Sequence, residues 1–170
     1  ASLHSSCSPS PHLFDTIRQI SLQALAKMLE DHGENIDIVY MADDYCSQLG
    51  PLFAPAQFKE FVVPYLTEYV DMVHRHNKKF LLHCCGAVRP LLPMIIDAGV
   101  DLLEPIQTRA AGMDPQGLKR DFGKDLCFYG GVDLQEILCK GTPKQVAGEV
   151  QRLIDILAEE GGYIMGPGHT

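Results

Sequence analysis

The sequence predicts an α/β fold with a parallel sheet. Five short apolar runs alternate with longer segments in which apolar residues recur every three or four positions. This is the pattern of strands that alternate with helices, and it produces parallel strands joined by right-handed crossovers. Two sheet arrangements fit this order of strands and helices: an open doubly wound sheet, and a segment of a (β/α)8 barrel.

The residues that end the predicted strands favour the barrel. The first strand is not followed by the glycine-rich fingerprint of a nucleotide-binding sheet. Each strand ends instead in polar or glycine residues, at positions 43–44, 83–85, 104–107, 130–133 and 169. Functional groups that gather at the carboxyl ends of strands are typical of a TIM-type (β/α)8 barrel. Because only five strands are predicted, we expect the C-terminal five strands of such a barrel.

The individual elements follow from periodicity and from turn residues. We predict helices over residues 14–31, 57–76, 88–98, 115–123 and 143–160, and strands over residues 36–41, 80–83, 100–104, 126–129 and 163–165. Pro64 lies inside the second helix and predicts a kink, because proline lacks the amide proton of the helical hydrogen bond. Asp114 and Thr142 are predicted N-caps, since each precedes a proline suited to the first helical position.

Two further expectations concern domain limits and helix faces. Residues 1–11 are rich in serine and contain proline, which predicts a flexible N-terminal segment before a barrel domain over residues 12–170. The last helix is expected to turn five apolar residues toward the core: Val146, Val150, Leu153, Ile154 and Leu157.

Composition excludes several classes of protein. The chain has 170 residues, of which 46% are hydrophobic and 21% charged, an ordinary globular mixture with room for one core. A net charge of -8 without a basic run argues against nucleic acid and anionic membranes as partners. No segment approaches the roughly 20 apolar residues of a membrane span, and no signal peptide is visible. Six cysteines without scaffold-like spacing indicate reduced thiols and a cytoplasmic location.

The predicted strand over residues 80–83 carries the most informative pair of side chains. It runs into His83, Cys84, Cys85 and Gly86. Alternation along a strand places His83 and Cys85 on one face and Cys84 on the other. An imidazole and a thiolate on one face can reach the same metal ion, and zinc suits this mixture of nitrogen and sulfur.

This pair is weak evidence by itself, because a buried cysteine is most often a small apolar filler. Its position at a strand end, with His169 at the end of another predicted strand, favours a metal site. Tetrahedral catalytic zinc takes three protein ligands and keeps one position open. We therefore predict His83, Cys85 and His169 as the metal ligands.

Other polar residues at the strand ends are candidates for catalysis or substrate binding. Asp44 is a candidate ligand or acid/base group, although an aspartate at a strand end more often caps a loop. Glu104 is a candidate partner that holds His83 in one tautomer, or else a solvated carboxylate. The candidate substrate-binding residues are Gln48, Gln107 and Tyr45.

Several motifs together resemble the uroporphyrinogen decarboxylase superfamily. They are Asp43-Asp44-Tyr45-Cys46-Ser47-Gln48, His83-Cys84-Cys85-Gly86-Ala87-Val88, Gly130-Gly131-Val132-Asp133, Gly161-Gly162-Tyr163-Ile164 and Gly166-Pro167-Gly168-His169. The resemblance covers nearly all of residues 12–170. It implies a TIM-type barrel of which this chain holds the C-terminal part.

The superfamily contains two chemistries, and the resemblance is greater to one of them. Uroporphyrinogen decarboxylases use no metal, whereas the corrinoid-associated methyltransferases hold zinc on a His-x-Cys pair and a later residue near the last strand. The pattern His83-x-Cys85-Gly86 is similar to the methyltransferase branch, although several of its members have cysteine where this chain has His169. The resemblance implies a zinc-dependent methyltransferase that acts on a small-molecule methyl donor or acceptor with a corrinoid held by a partner protein.

Two alternatives remain open at the level of the sequence. A metal-free decarboxylase of porphyrin biosynthesis needs arginines for a polyanionic substrate, and only Arg89 and Arg109 lie near predicted strand ends. A non-catalytic half-barrel would expose two sheet edges, which favour assembly with another copy as a homo-oligomer.

Overall fold

The computed structural model describes residues 11–169, and the chain divides between Ile36 and Asp37 into two units. The first unit contains helix α1 (Pro11–His32) and a 3-10 turn at Gly33–Asn35. The predicted flexible segment lies, except for its last residue, outside the described residues. The start of the barrel domain at residue 12 therefore stays a prediction.

A five-stranded parallel sheet forms the centre of the second unit. Its strands are β1 (Ile38–Ala42), β2 (Lys79–His83), β3 (Leu102–Ile106), β4 (Cys127–Val132) and β5 (Tyr163–Pro167). The strands lie in the sheet in the order of the sequence, and every neighbouring pair is parallel. A doubly wound sheet reverses its strand order at a switch point, whereas consecutive barrel strands do not. The predicted fold class is confirmed.

Helices connect these strands. They are α2 (Pro55–Phe61), α3 (Val63–Arg75), α4 (Leu92–Asp97), α5 (Pro115–Phe122) and α6 (Pro143–Leu157), with a 3-10 turn at Arg89–Leu91 and a π-helical turn at Leu134–Leu138. Within residues 11–169, none of the helices combines the length and the apolar character needed to cross a bilayer.

Pro64 has a larger effect than the predicted kink. The expected single helix over residues 57–76 is two helices, α2 and α3, which meet at Val62. Pro64 lies in the first turn of α3, where the missing amide proton leaves no hydrogen bond unmade. The proline therefore starts a new helix and does not bend an existing one.

The predicted N-caps are confirmed, and one predicted core residue is wrong. The Asp114 side chain accepts a hydrogen bond from the Gly117 amide at 2.7 Å. Thr142 opens α6 with a reciprocal capping box, in which its side chain and that of Gln145 each accept from the other's backbone amide. Along α6, Leu153 and Leu157 are buried, Val146 and Val150 are half-buried, and Ile154 is 36% exposed. Ile154 follows Leu153 by one position, about 100° around the helix, which turns it off the buried stripe.

The two faces of the sheet differ in what they carry. Phe80 and Leu82 of β2 are fully buried and belong to the core, together with Leu103 of β3. The opposite face of β2 carries His83, which lies beside Ala42 of β1 and Glu104 of β3 in the strand register. Side chains at neighbouring register positions share a face. The end of β2 therefore presents His83 on the face opposite Phe80 and Leu82, beyond the buried Leu81 and Leu102.

Candidate metal centre

The chain beyond β2 is fixed by three hydrogen bonds to neighbouring loops. The Cys84 side chain is fully buried, and its sulfur accepts from the Tyr45 amide at 3.5 Å. The Cys85 amide donates to Asp44 Oδ1 at 2.8 Å. The Gly86 amide donates to a side-chain oxygen of Gln107 at 3.0 Å. These contacts set the direction in which the Cys85 side chain leaves the backbone.

The structure brings the three predicted ligand residues together. His83 Nε2 and Cys85 Sγ are 3.4 Å apart. The imidazole rings of His83 and His169 lie edge to face, with centroids 5.5 Å apart and an interplanar angle of 85°. One ligand atom from each of the three residues lies within 4.8 Å of the others. The ends of β2 and β5 thus converge on one point.

This donor set fits zinc. Tetrahedral zinc with Zn–N bonds of about 2.0–2.1 Å and a Zn–S bond of about 2.3 Å holds its ligand atoms about 3.3–3.6 Å apart. The separation of 3.4 Å between His83 Nε2 and Cys85 Sγ agrees with that geometry. Two imidazole nitrogens and one thiolate are also ligands that zinc accepts readily. Metal binding itself stays a prediction.

The hydrogen-bond partners of His83 define its tautomer. Its Nδ1 bonds to Oε2 of Glu104, a carboxylate that is 4% exposed. Burial, with the nearby Asp44 charge, raises the pKa of the Cys85 thiol to about 11, so this thiol is protonated at neutral pH. A thiol beside Nε2 is a donor, and a carboxylate beside Nδ1 is an acceptor. The imidazole proton therefore lies on Nδ1, and the Nε2 lone pair faces the candidate metal position.

Asp44 lies at the rim of this group. Its Oδ1 is 3.9 Å from His83 Nε2 and also accepts from the Cys85 amide. Its side chain is 57% exposed, so it reaches solvent as well as the site. Both predicted catalytic carboxylates, Asp44 and Glu104, are thus next to His83.

The two predicted substrate glutamines bond to each other. Gln48 donates its side-chain amide to Gln107 Oε1, the oxygen that also accepts from Gly86. The Gln48 carbonyl accepts from the Ala111 amide at 2.9 Å. The pair therefore joins the loops that follow β1, β2 and β3. Both side chains also line a polar depression together with Arg109, so a substrate role stays a prediction.

Tyr45 lies in the core and not at the site. It is 5% exposed, and its ring packs edge-on against Phe58 at 5.1 Å and Phe53 at 6.3 Å between centroids. Burial, followed by the charge of Asp43, raises its pKa. The polar composition of the loop suggested an exposed side chain, but this loop turns Tyr45 inward.

Tyr40 is a site residue that the sequence reasoning missed. It lies on β1, and its ring centroid is 5.8 Å from that of His83. In the sequence it is one residue of an apolar strand. The strand register of β1 against β2, which places it on the same face as His83, was the missing information.

A sequential parallel sheet with a His/Cys group at its carboxyl edge defines a barrel-type α/β protein with a candidate metal centre. The family described as Uroporphyrinogen decarboxylase (URO-D) matches residues 5–170. The chain belongs to this family, which confirms the resemblance found in the motifs.

Individual relatives represent both chemistries. A uroporphyrinogen decarboxylase of Geobacter sulfurreducens is 24% identical over 162 residues, which cover 92% of this chain and 42% of that protein. A methylated-thiol–coenzyme M methyltransferase of Methanosarcina mazei is 27% identical over 136 residues, 77% of this chain and 32% of that protein. The chain thus spans less than half the length of these relatives.

A solved structure agrees with the fold. A methyltransferase from Methanosarcina mazei superposes with a TM-score of 0.61 at 25% identity, covering 78% of this chain and 36% of that one.

Proposed function

We propose that this chain is part of a zinc-dependent methyltransferase that acts with a corrinoid protein. The observation that carries the proposal is the convergence of His83, Cys85 and His169, with one ligand atom from each within 4.8 Å. The similarity to a methanogen methyltransferase in sequence and in fold supports the same branch of the family.

The residues of the chain have separate tasks in this proposal. His83, Cys85 and His169 hold the metal and leave one position open. A zinc ion held there supplies Lewis acidity, either to lower the pKa of a thiol acceptor or to polarise the oxygen or nitrogen of a methyl donor. Glu104 keeps the His83 proton on Nδ1, and Asp44 is placed to accept a proton from a thiol substrate. The corrinoid belongs to the partner protein.

The proposed substrate is a small molecule that lies partly in the polar depression beside the metal group. Gln48, Gln107, Arg109 and Gly168 line this depression. Gly168 directly precedes His169, and Gln107 bonds to the residue after Cys85. A molecule bound at the open metal position would therefore extend over these side chains. We also propose the cytoplasm as the compartment, since the described cysteines are free thiols.

Metal analysis tests the proposal directly. We expect near-stoichiometric zinc in the purified protein and loss of zinc in His83→Ala and Cys85→Ser. Cys139→Ser is the matched control, because Cys139 is an exposed thiol outside the ligand group. X-ray absorption should give metal–nitrogen distances of about 2.0–2.1 Å and a metal–sulfur distance of about 2.3 Å. The absence of zinc from the wild-type protein, or its retention in His83→Ala, would refute the proposal.

His169 requires its own test, because histidine stands where several related methyltransferases have cysteine. We expect His169→Ala to lose zinc and activity together. Retention of zinc with loss of turnover would instead make His169 a substrate residue. The third ligand would then be sought at Asp44, whose Oδ1 lies 3.9 Å from His83 Nε2, because Glu104 bonds to the other ring nitrogen.

The alternative of a metal-free uroporphyrinogen decarboxylase is favoured by one observation, the alignment with the Geobacter enzyme over 92% of this chain. The arginines offer less support. Arg89 pairs with Asp121, and Arg109 pairs with Asp133 at 3.4 Å. Decarboxylation of uroporphyrinogen by zinc-free protein would establish this alternative.

The alternative of a non-catalytic assembly module is favoured by the two sheet edges. Edge strand β1 exposes Ile38 by 41% and Tyr40 by 55%, and edge strand β5 exposes Met165 by 52%. Apolar edges of this kind pair readily with other strands. A stable monomeric mass in solution would exclude a homo-oligomer.

A further inference from the structure

The polar depression beside the metal group contains a cationic side chain. Arg109 lies on the loop that follows β3, and its side chain is 55% exposed. Among the described residues that line the depression, it is the only arginine or lysine. A guanidinium has five N–H donors in a planar fork. Within residues 11–169, the Arg109 fork makes one hydrogen bond, from Nη1 to Asp133 Oδ2 at 3.4 Å, so donors remain for a ligand.

Asp133 orients Arg109 without cancelling its charge. The Asp133 side chain follows β4 and is only 8% exposed. Its Oδ1 accepts from the backbone amides of Gln135 at 2.8 Å and Glu136 at 3.4 Å, which begin the π-helical turn. These amides stabilise part of the carboxylate charge. A charge-assisted N–H···O bond is normally about 2.7–2.9 Å long, so the contact with Arg109 is a weak one. Positive charge is therefore left at the depression.

Gln107 adds further donors to the same depression. Its Oε1 accepts from the Gly86 amide at 3.0 Å and from the side chain of Gln48. A backbone amide can only donate, so the oxygen of the Gln107 side chain must be the atom that faces Gly86. Its Nε2 then points away from Gly86, and in the described part of the chain it has no hydrogen-bond partner. Donors from Gln107 and Arg109 together suit an acceptor-only group such as a carboxylate.

We propose that Arg109 is a specificity-determining residue, which selects small substrates that carry a carboxylate at the end remote from the metal. The inference deepens the proposed function and rests on it for the metal-bound end of the substrate. Gly168, which also lines the depression, directly precedes the candidate ligand His169. One guanidinium matches one carboxylate through two parallel hydrogen bonds. It does not match a polyanion such as uroporphyrinogen, which needs several arginines.

The first test measures anion binding to the metal-free protein. Propionate is the probe, propionamide is its neutral counterpart, and the NMR signal of the Gly168 amide reports binding in every variant. We expect saturable binding of propionate and a loss of about tenfold or more in Arg109→Gln, the loss expected for a hydrogen bond to a charged group. Arg120→Gln is the matched control, because it makes the same change in net charge at an exposed position of α5 outside the depression.

The second test compares two thiols on the zinc-loaded protein. The acid 3-mercaptopropionate and the alcohol 3-mercaptopropan-1-ol share a thiol and a three-carbon chain but differ in charge. We expect wild type to bind the acid about tenfold more tightly than the alcohol, and Arg109→Gln to bind both about equally. Arg109→Lys should keep part of the preference, because lysine retains the charge but not the fork. An arginine that only supports the π-helical turn through Asp133 would change both affinities by the same factor.

The outcomes separate this inference from the proposed function. The inference is wrong if wild type binds propionate no more tightly than propionamide, or if Arg109→Gln keeps the preference for the acid. If the wild-type protein binds no zinc, the proposed function fails, and the propionate titration still decides the task of Arg109. Since the Arg109 side chain is largely exposed, Arg109→Gln should fold normally, which a urea unfolding curve checks. Arg109→Lys gives a second comparison in which the contact with Asp133 is kept.

Discussion

Glu104 is an ionisable side chain at the end of β3 that is buried almost completely, with 4% exposure. A carboxylate is costly to bury unless strong donors compensate for its lost hydration. Here the compensation comes from His83 Nδ1, which in turn is held in the tautomer that frees Nε2. The burial of Glu104 and the orientation of His83 are thus two aspects of one contact.

The first prediction follows from this contact. Glu104→Gln keeps the shape of the side chain but removes its charge, so it accepts the His83 proton less strongly and can present an amide in place of an oxygen. We expect zinc affinity to fall by about 10–100-fold. Chelator competition measures the change, and Glu159→Gln, at an exposed position, is the control. Equal affinities for wild type and Glu104→Gln would show that Glu104 does not support His83.

At the residue scale, the sequence predicted site residues from alternation along one strand and from their positions at the carboxyl ends of the strands. His83 and Cys85 were found because alternation along a single strand places them on one face. Tyr40 was missed because its contact with His83 depends on register between strands, which no pattern within one strand encodes. Tyr45 was misplaced because a polar loop does not reveal which of its side chains turns inward.

At the scale of elements, the turn after β2 depends on Gly86. Its φ of 88° lies in the left-handed region, and an added Cβ would lie 2.8 Å from the carbonyl carbon of Ser47. The Ala87 amide donates to the same Ser47 carbonyl at 2.8 Å, so the two loops are locked together. This close approach of backbones holds Cys85 beside Asp44.

The second prediction concerns this turn. We expect Gly86→Ala to lower the free energy of unfolding by about 1–3 kcal/mol, because alanine is strained at this φ and its methyl group meets the Ser47 backbone. Zinc affinity should fall as well, since the turn positions Cys85. Urea unfolding and chelator competition measure the two effects. A variant as stable as wild type would mean that the loops carrying Ser47 and Gly86 can move apart without a loss in the free energy of unfolding.

Gly148 in α6 is the opposite case and provides the third prediction. It is exposed, and a Cβ built there meets nothing within 4 Å. We expect Gly148→Ala to raise the free energy of unfolding by about 0.5–1 kcal/mol, because glycine is the poorer residue inside a helix. Urea unfolding measures the change in the free energy of unfolding. A destabilised variant would show that the added methyl group collides with a neighbouring atom. Zinc affinity should not change.

The helices show how far local patterns predict an element. The N-caps Asp114 and Thr142 were predicted correctly because capping depends on residues close in sequence. Pro64 was identified as a disruption, but the sequence did not reveal that α2 and α3 would separate at Val62. Whether a proline bends a helix or starts another depends on how both segments pack against the rest of the fold. Residues close to the proline in the sequence do not determine that packing.

At the scale of the whole molecule, strand order was predictable and strand register was not. The alternation of strands and helices implies parallel strands, and polar strand ends imply a common functional edge. The sequential order of the sheet confirms the barrel-type arrangement. The irregular register between β3 and β4, where pairing shifts between Leu103 and Ile106, falls at Pro105, which has no amide proton for the strand ladder.

Asp101 joins several elements at the amino-terminal edge of the sheet. Its carboxylate accepts from Lys79 Nζ at 2.6 Å, from His74 Nε2 at 2.7 Å and from the Phe80 amide at 2.8 Å. Burial alone would raise the pKa of Asp101, but hydrogen bonds from Lys79, His74 and the Phe80 amide outweigh it and lower the pKa. The side chain is 16% exposed, so these contacts are partly shielded from solvent.

The pH dependence of stability is the last prediction. A carboxyl with a lowered pKa in the folded state stabilises the protein above its unfolded pKa of about 3.9, and this contribution is lost as the pH falls through the folded pKa. We expect Asp101→Asn to lower the free energy of unfolding by about 1–2 kcal/mol at pH 7. The difference from wild type should begin to shrink below about pH 4, where Asp101 of the unfolded chain takes up a proton, and should be smallest once the pH is below the lowered folded pKa. Urea unfolding across this range measures the difference, with Asp71→Asn at an exposed position of α3 as the control. A difference that stays constant with pH would show that the charge of Asp101 does not stabilise the fold.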